Sequence, residues 1–254
     1  MVYFVGAGPG DVELITVKGQ RLLMEADCII YAGSLINHDL LGYANSQCEL
    51  FDSAMMTLEE ITDIMLRNEE CEKTTVRLHT GDPSLYGAIK EQIDILKRNG
   101  VSYEIIPGVS SFAGAAASLG VEYTLPGVSQ TVILTRLEGR TPVPDREKIT
   151  NLAKIRASMA IFLSSAMLDE LALKLIEGGY PPDTPAAIVY KATWPDELLI
   201  RTSLAKLPQD GARNNISKTA IILVGEFLES SYERSLLYDP KFTHGFRTGK
   251  LCDG

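Results

Sequence analysis

Short apolar runs alternate along this chain with longer, mixed stretches, and turn residues punctuate the joins. Val2–Val5 is an apolar run ending in a glycine-proline turn, which predicts a buried first strand. A helical stretch follows from Thr16 to Ala26, with Val17, Leu22 and Leu23 as apolar positions, and Cys28–Tyr31 is the next strand. In Thr57-Leu58-Glu59-Glu60 a threonine precedes a glutamate by three residues, the signature of a capping box, and the helix it starts runs to Asn68. Thr74–Leu78 reads as a strand, Leu85–Asn99 as a helix closed by Gly100, and Val101–Ile106 as a strand. Ser110–Leu119 is a helix of small residues stopped by Gly120. This alternation predicts a largely parallel sheet with helices on its faces.

Gly120, Pro126 and Gly127 interrupt the pattern over Val121–Gly127. A second alternation follows: strand Thr131–Thr135, a helix around Arg146–Ile155, strand Ala160–Leu163 and helix Leu168–Glu177. Ala186–Lys191, Glu197–Thr202 and Ala220–Val224 read as three more strands. The fold class expected is α/β, with two α/β domains over 1–121 and 122–232 and a polar, aromatic tail over 233–254. No internal repeat with a period of roughly 20–50 residues is present.

Composition narrows the function. The 254 residues are 45% hydrophobic and 22% charged, enough apolar material for two cores. A net charge of -9 argues against nucleic acid or an anionic membrane as the main partner, although a few local cations could still bind an anionic small molecule. Cys28, Cys48, Cys71 and Cys252 are scattered without a CxxC pair, and only His38, His79 and His244 could join them. No metal site is therefore expected, and reduced thiols in a cytoplasmic protein are. No basic leader precedes an apolar run, and nothing approaches about 18 consecutive apolar residues, so neither export nor a membrane span is expected.

Candidate chemistry sits at three strand ends. Gly6-Ala7-Gly8-Pro9-Gly10-Asp11 follows the first strand and resembles a dinucleotide loop. The third glycine of GxGxxG is missing, however, and Asp11 and Glu13 would repel a pyrophosphate. The turn is either a connection without a ligand or main chain closely approaching a neutral or cationic one. Arg77-Leu78-His79-Thr80-Gly81-Asp82-Pro83 ends another strand, where Gly81 permits close approach and Asp82 offers an anion; a plain Asp–Pro turn is the alternative. Pro107-Gly108-Val109-Ser110-Ser111 opens a helix, and Ser110 there could simply be an N-cap.

Taken together, these stretches resemble the tetrapyrrole methylase family of corrin and sirohaem C-methyltransferases. Val5–Thr16 matches the family's strand followed by GxGPGDxxLLT, Gly81-Asp82-Pro83 its GDP motif, and Pro107–Ser111 its PGxSS motif. Tyr31–Leu35, Arg77–Gly87, Lys191–Glu197 and Tyr238–His244 resemble the branch that methylates C11 of precorrin-4, the cobalt-containing form preferred to the metal-free one. The resemblance implies two α/β domains with an active-site trough between them, a homodimer, and S-adenosyl-L-methionine as methyl donor, with S-adenosyl-L-homocysteine as product. It implies cofactor contacts at Pro9, Gly81, Asp82, Leu85, Ser110 and Ser111, and at Leu163 and Ala192 of the second domain. Where the related uroporphyrinogen-III enzymes have a proposed proton-accepting Asp, this chain has Ala32, so that role does not carry over.

An electrophilic sulfonium methyl and an electron-rich tetrapyrrole need mainly alignment, at about 3–3.5 Å in a water-poor cleft. No nucleophile–base pair is visible, so no catalytic residue is assigned. The substrate's carboxylates call for cations, and Arg77, His79, Arg136 and Arg140 are the candidates; each could instead be a solvated surface charge. Tyr86, Trp194 and Tyr123 are candidates for stacking on the macrocycle, or for core packing. The competing functions are a methylase of the same fold acting at another ring carbon or on a protein, a nucleotide-binding oxidoreductase, and a non-catalytic binding module.

Overall fold

A computed structural model describes residues 1–229 and 231–249, so Cys252 lies outside the described residues. The chain divides into two compact units. The first comprises Met1–Ser118 together with Lys191–Leu198, and the second Leu119–Tyr190 with the chain from Leu199. The segment Lys191–Leu198, which the sequence alone places in the second domain, thus groups with the first.

The first unit is a five-stranded parallel sheet in the order β3-β2-β4-β1-β5. Its strands are β1 (Val2–Gly6), β2 (Cys28–Tyr31), β3 (Glu49–Asp52), β4 (Thr75–His79) and β5 (Tyr103–Ile106). The neighbouring β1 and β4 are buried along almost their whole length because helices cover both faces, although β4 carries Arg77 and His79. Val5, Ile29, Val76 and Leu78 form one core with Leu22 and Leu23 of α1 (Val17–Glu25). Val2, Phe4, Cys28 and Ile30 form the opposite core with Ile61, Ile64 and Met65 of α2 (Leu58–Glu70) and Ile93 and Leu96 of α3 (Ile89–Arg98). α2 starts at the expected capping box: Thr57 Oγ1 accepts from Glu60 N–H at 3.2 Å, and Glu60 Oε2 from Thr57 N–H at 2.7 Å. Such a cap contributes about 1 kcal/mol.

Two features of this unit differ from expectation. The helix expected over Leu85–Asn99 starts only at Ile89, because Tyr86 (φ 57°) and Ala88 (φ 49°) take left-handed backbone that interrupts it. β3, with the sequence ELFD, is an additional, mostly exposed edge strand.

The second unit carries β6 (Val132–Arg136), β7 (Ser158–Phe162), β8 (Pro185–Tyr190), β9 (Leu198–Ser203, whose first residue groups with the first unit) and β10 (Ala220–Val224), in the order β6-β7-β10-β8-β9. This sheet is mixed rather than largely parallel: β6 runs parallel to β7, while β10 is antiparallel to both β7 and β8. α6 (Leu168–Glu177) buries Leu168, Leu171, Ala172 and Leu175 against Met159, Ile161, Ile188 and Ile222. α5 is only Ile149–Ala153, and α7 (Leu207–Arg213) is an additional helix, with α4 (Ser111–Leu119) closing the first unit's set. No helix among the described residues is long and apolar enough to cross a membrane.

The alternation along β4 decides the fate of two candidate cations. Val76 and Leu78 face α1, so Arg77 and His79 point to the opposite side. Arg77 is 6% exposed and donates from Nη1 to the Ile30 carbonyl at 3.1 Å, and burial pulls its guanidinium down to about 10. His79 is 5% exposed and stacks on Phe4 with ring centroids 6.1 Å apart. Burial, reinforced by the Arg77 charge, pushes its imidazole down to about 3, so it is neutral in the fold. Both were expected to bind substrate carboxylates; their burial beneath the helices corrects that.

A pH dependence follows from His79. The unfolded chain takes up its proton near the ordinary 6.5, and the folded one only near 3. The stability is therefore complete above about 6.5 and is lost progressively as pH falls towards 3. His79→Phe keeps the ring contact and removes the titration, so the acid limb of its melting temperature against pH is flatter than wild type. Superimposable acid limbs would contradict this placement.

Candidate active site

In the first sheet, β1 leads through α1 to β2 on one side, and β4 leads through α3 to β5 on the other. β1 and β4 are neighbours, and α1 and α3 lie on opposite faces. Connections that leave two adjacent strands in opposite directions open a crevice at their carboxyl ends, the place where open α/β sheets bind ligands. The three glycine-bearing motifs follow β1, β4 and β5, which are consecutive in the sheet.

Main chain packs on main chain there. A Cβ on Gly6 would lie 2.6 Å from both Gly108 Cα and Gly81 O, and one on Gly108 would lie 2.2 Å from Gly81 O. Neither neighbour is a movable side-chain tip, so only glycine fits. Gly8 (φ +79°) and Gly81 (φ +60°) pair where the two strand ends meet: Gly81 N–H donates to Gly8 O at 2.9 Å, and Gly8 N–H to Gly81 O at 3.3 Å. A Cβ on Gly81 would sit 3.5 Å from Ser110 Cα and 3.7 Å from Ser111 N, so the start of α4 adjoins this pair. Ser110 is buried and its carbonyl accepts from Ala113 N–H at 3.0 Å, the backbone role of a helix cap.

Asp82 binds the strand ends together. Its Oδ2 accepts from Gly108 N–H at 2.8 Å, and its Oδ1 from Ser84 N–H at 2.8 Å and from the Ser84 hydroxyl. Burial opposes ionisation, but the hydrogen bonds from the Ser84 hydroxyl, Gly108 N–H and Ser84 N–H outweigh it and hold the carboxyl below its ordinary range. Leu85 is half-buried just beyond, its N–H donating to Asp82 O at 3.2 Å.

Pro9 is buried and meets α4 at Gly114, where a Cβ would lie 3.0 Å from Pro9 Cβ. Its carbonyl accepts from the Trp194 indole N–H at 2.9 Å. The indole lies so close over Gly10 that a Cβ there would come within 2.0 Å of Trp194 Cδ1. Trp194 is therefore packed on the opening turn, not presented as a stacking surface. Ala192 is 4% exposed and belongs to the first unit, a correction to its expected place in the second. It lies between Lys191 (φ 47°) and Thr193 (φ 68°). Left-handed backbone at a β-branched threonine costs about 1–3 kcal/mol and persists only where surrounding contacts enforce it. The contribution of Thr193 and Gly114 had no sequence signal of its own, since a threonine hydroxyl and one glycine in a small-residue helix are unremarkable singly.

In the second unit, Leu163 follows β7 with φ 53° and is 68% exposed, an apolar side chain in strained backbone facing solvent. Arg136 spends its guanidinium on main chain: Nη1 donates to Leu137 O at 3.3 Å and Thr141 O at 3.1 Å, and Nη2 to Pro142 O at 2.9 Å. It staples the loop that carries exposed Arg140, which corrects its expected role as a carboxylate fork. Tyr123 is buried against Phe227, with ring centroids 4.9 Å apart, and is a core residue. Tyr86 is 46% exposed, and Ala32 follows β2 partly buried in the core under α1. No group of three or more His, Cys, Asp or Glu among the described residues is placed to hold a metal.

The amides of the opening turn decide what it can bind. A phosphate cradle needs unspent N–H donors. Here Ala7 N–H goes to His79 O at 2.7 Å, Gly8 N–H to Gly81 O, and Asp11 N–H to Thr193 Oγ1 at 3.0 Å, while Pro9 has none. The carbonyls are engaged as well, Gly8 O by Gly81 N–H, Pro9 O by the Trp194 indole and Gly10 O by Asn37 Nδ2 at 2.9 Å, so the charge of Asp11, Glu13 and Asp82 sets the character of the edge. It suits a ligand with cationic groups and rejects a pyrophosphate.

Comparison with known proteins agrees with this geometry. Residues 1–208 match the family model described as Tetrapyrrole (Corrin/Porphyrin) Methylases. The chain is 55% identical over 247 residues to the cobalt-precorrin-4 C(11)-methyltransferase of Methanocaldococcus jannaschii, covering 97% of this chain and 95% of that one. The X-ray structure of the cobalt precorrin-4 methyltransferase CbiF superposes with a TM-score of 0.88 at 49% identity, over 90% of this chain and 96% of that one. A uroporphyrin-III C-methyltransferase from Thermus thermophilus, solved with S-adenosyl homocysteine, superposes with a TM-score of 0.75 at 28% identity, over 90% and 93% of the two chains. The chain belongs to the tetrapyrrole (corrin/porphyrin) methylase family.

Proposed function

We propose that this chain is an S-adenosyl-L-methionine-dependent methyltransferase that methylates C11 of cobalt-precorrin-4, giving cobalt-precorrin-5 in cobalamin biosynthesis. The observation that carries the reading is the edge where the ends of β1 and β4 meet, at which the Ala7, Gly8, Gly81 and Asp11 amides are spent internally and the nearby side chains are acidic. That chemistry fits a cofactor with sulfonium and ammonium charges and disfavours a nicotinamide dinucleotide. The kinship with cobalt-precorrin-4 methyltransferases selects the substrate.

When bound, S-adenosyl-L-methionine supplies an electrophilic methyl group, and the protein's task is alignment. Pro9, Gly81 and Ala192 offer main chain and small side chains for close approach, with Ser110 and Ser111 beside them. Asp82 bears a fixed negative charge towards the cofactor; the donors that keep it ionised also make it a poor proton acceptor. Leu85 and Leu163 are the apolar contacts for the base, Leu163 on the strength of its exposure in left-handed backbone. Holding donor and acceptor in line is worth about 7–11 kcal/mol in well-oriented reactions, which needs no nucleophilic side chain. Arg140, exposed and not held by the loop carbonyls that occupy Arg136, is the cation for a substrate carboxylate. A homodimer completes the reading, because Leu236, Leu237 and Tyr238 of the tail are 60–73% exposed, apolar surface that a second copy would cover.

Calorimetry should give one S-adenosyl-L-homocysteine per chain, and Asp82→Ala should weaken it by about tenfold, or 1.4 kcal/mol. Absence of binding by the wild type would end the proposal; an unchanged Asp82→Ala affinity would remove Asp82 from the site. Incubation with cobalt-precorrin-4 and the methyl donor should add one methyl group by mass spectrometry, at C11 by NMR. Transfer to another ring carbon would overturn the substrate assignment. In the same assay Arg140→Ala should raise KM for the tetrapyrrole several-fold and leave cofactor affinity alone; equal effects on both would refute its role. Sedimentation should give twice the monomer mass, and a monomer at assay concentration would reject the dimer.

A further inference from the structure

The segment Lys191–Leu198 reaches the opening turn through one carboxylate. Glu197 Oε1 accepts from Thr193 N–H at 2.6 Å and from the Ser118 hydroxyl at 2.6 Å, so it ties the left-handed residue to the end of α4. Thr193 Oγ1 in turn accepts from Asp11 N–H at 3.0 Å, and the next residue, Trp194, holds the Pro9 carbonyl at 2.9 Å. Glu197 N–H donates back to Trp194 O at 3.1 Å, closing the segment on itself. Lys191 lies 5.0 Å from the centre of the indole ring and is paired with Asp196 at 2.6 Å, so it covers the ring and meets a carboxylate within its own segment. Asp11 and Pro9 thus have their main-chain groups fixed by side chains about 180 residues away in sequence. Without the Glu197 acceptor, the Thr193 amide loses its partner, and the left-handed turn is held only by the Asp11–Thr193 Oγ1 bond and the bonds of Trp194.

We infer that Glu197 is a positioning residue for the cofactor, acting through Thr193 and Trp194 on the main chain of Pro9–Asp11. This rests on the reading of that turn as the cofactor wall and extends it: cofactor affinity is set by a carboxylate that does not itself touch the cofactor. Glu197 acts on binding rather than on methyl transfer, so its loss raises KM for the donor and leaves kcat at saturation nearly unchanged.

The test uses the full chain and S-adenosyl-L-homocysteine. Glu197→Ala should weaken binding by about tenfold, whereas Glu197→Gln, which keeps the carbonyl acceptor, should stay within about threefold of wild type. Thr193→Val removes the hydroxyl that holds Asp11 N–H while keeping the shape, and should also weaken binding; it serves if Glu197→Ala does not fold. A merely structural carboxylate would lower the melting temperature and leave affinity unchanged, and that result in both variants overturns the inference. So does a Glu197→Gln variant as weak as Glu197→Ala. Trp194 is the chain's single tryptophan, so its emission reports this turn alone. If wild type binds no cofactor product, the proposed function falls, and the brace is then judged on the ligand-free proteins. A red-shifted Trp194 emission in Glu197→Ala supports it, and an unchanged spectrum overturns it.

Discussion

Three strand ends in the first unit approach one another more closely than any side chain allows, and the site depends on that contact. Gly6, Gly81 and Gly108 meet backbone to backbone, so a methyl group at Gly6 or Gly108 would have to displace main chain, not a flexible tip. The contact draws the loops after β1, β4 and β5 into one edge. It also consumes their amides, because Gly8 and Gly81 pair with each other. An edge that spends these donors internally and carries Asp11, Glu13 and Asp82 has an acidic character, and this distinguishes it chemically from the phosphate-binding turns it superficially resembles.

Burial sorts the charges of this unit into two groups. Arg77 and His79 lie on the face of β4 turned towards α2 and α3, where low dielectric favours the neutral imidazole and leaves the guanidinium with a carbonyl partner. Asp82, at the strand end, is half-buried yet ionised because three donors converge on it. The same strand therefore hides its basic side chains in the core, His79 in the neutral form, and carries its anion at the strand end. For a cofactor carrying sulfonium and ammonium charges, that is a consistent field.

Binding to a pre-formed wall makes rigidity of the turn a functional quantity, because a wall already ordered loses less conformational freedom when the ligand arrives. The left-handed Thr193, the indole laid on Gly10 and the Glu197 carboxylate spanning Thr193 and Ser118 all restrict the same few main-chain atoms. In the second unit, Arg136 performs an analogous task, fixing a loop by three carbonyls and leaving Arg140 at its surface.

Local pattern alone determined much of this protein. The capping box at Thr57, the strands at Cys28–Tyr31 and Ala220–Val224, and the helix Leu168–Glu177 follow from periodicity and side-chain chemistry within a few residues. The glycine motifs likewise marked the strand ends where the crevice forms. Tertiary structure decided the rest. Glu49–Asp52 becomes a strand only because β2 offers it an edge, and Leu85–Ala88 leaves the helical pattern because its backbone must turn first. The antiparallel β10 could not be read from alternation, which is blind to strand direction. Arg77 and His79 looked like strand-end cations, but period-two alternation on a sheet covered on both faces places them inside. Lys191–Leu198 joined the first unit through hydrogen bonds to Pro9 and Asp11, partners too distant in sequence for any local rule to connect.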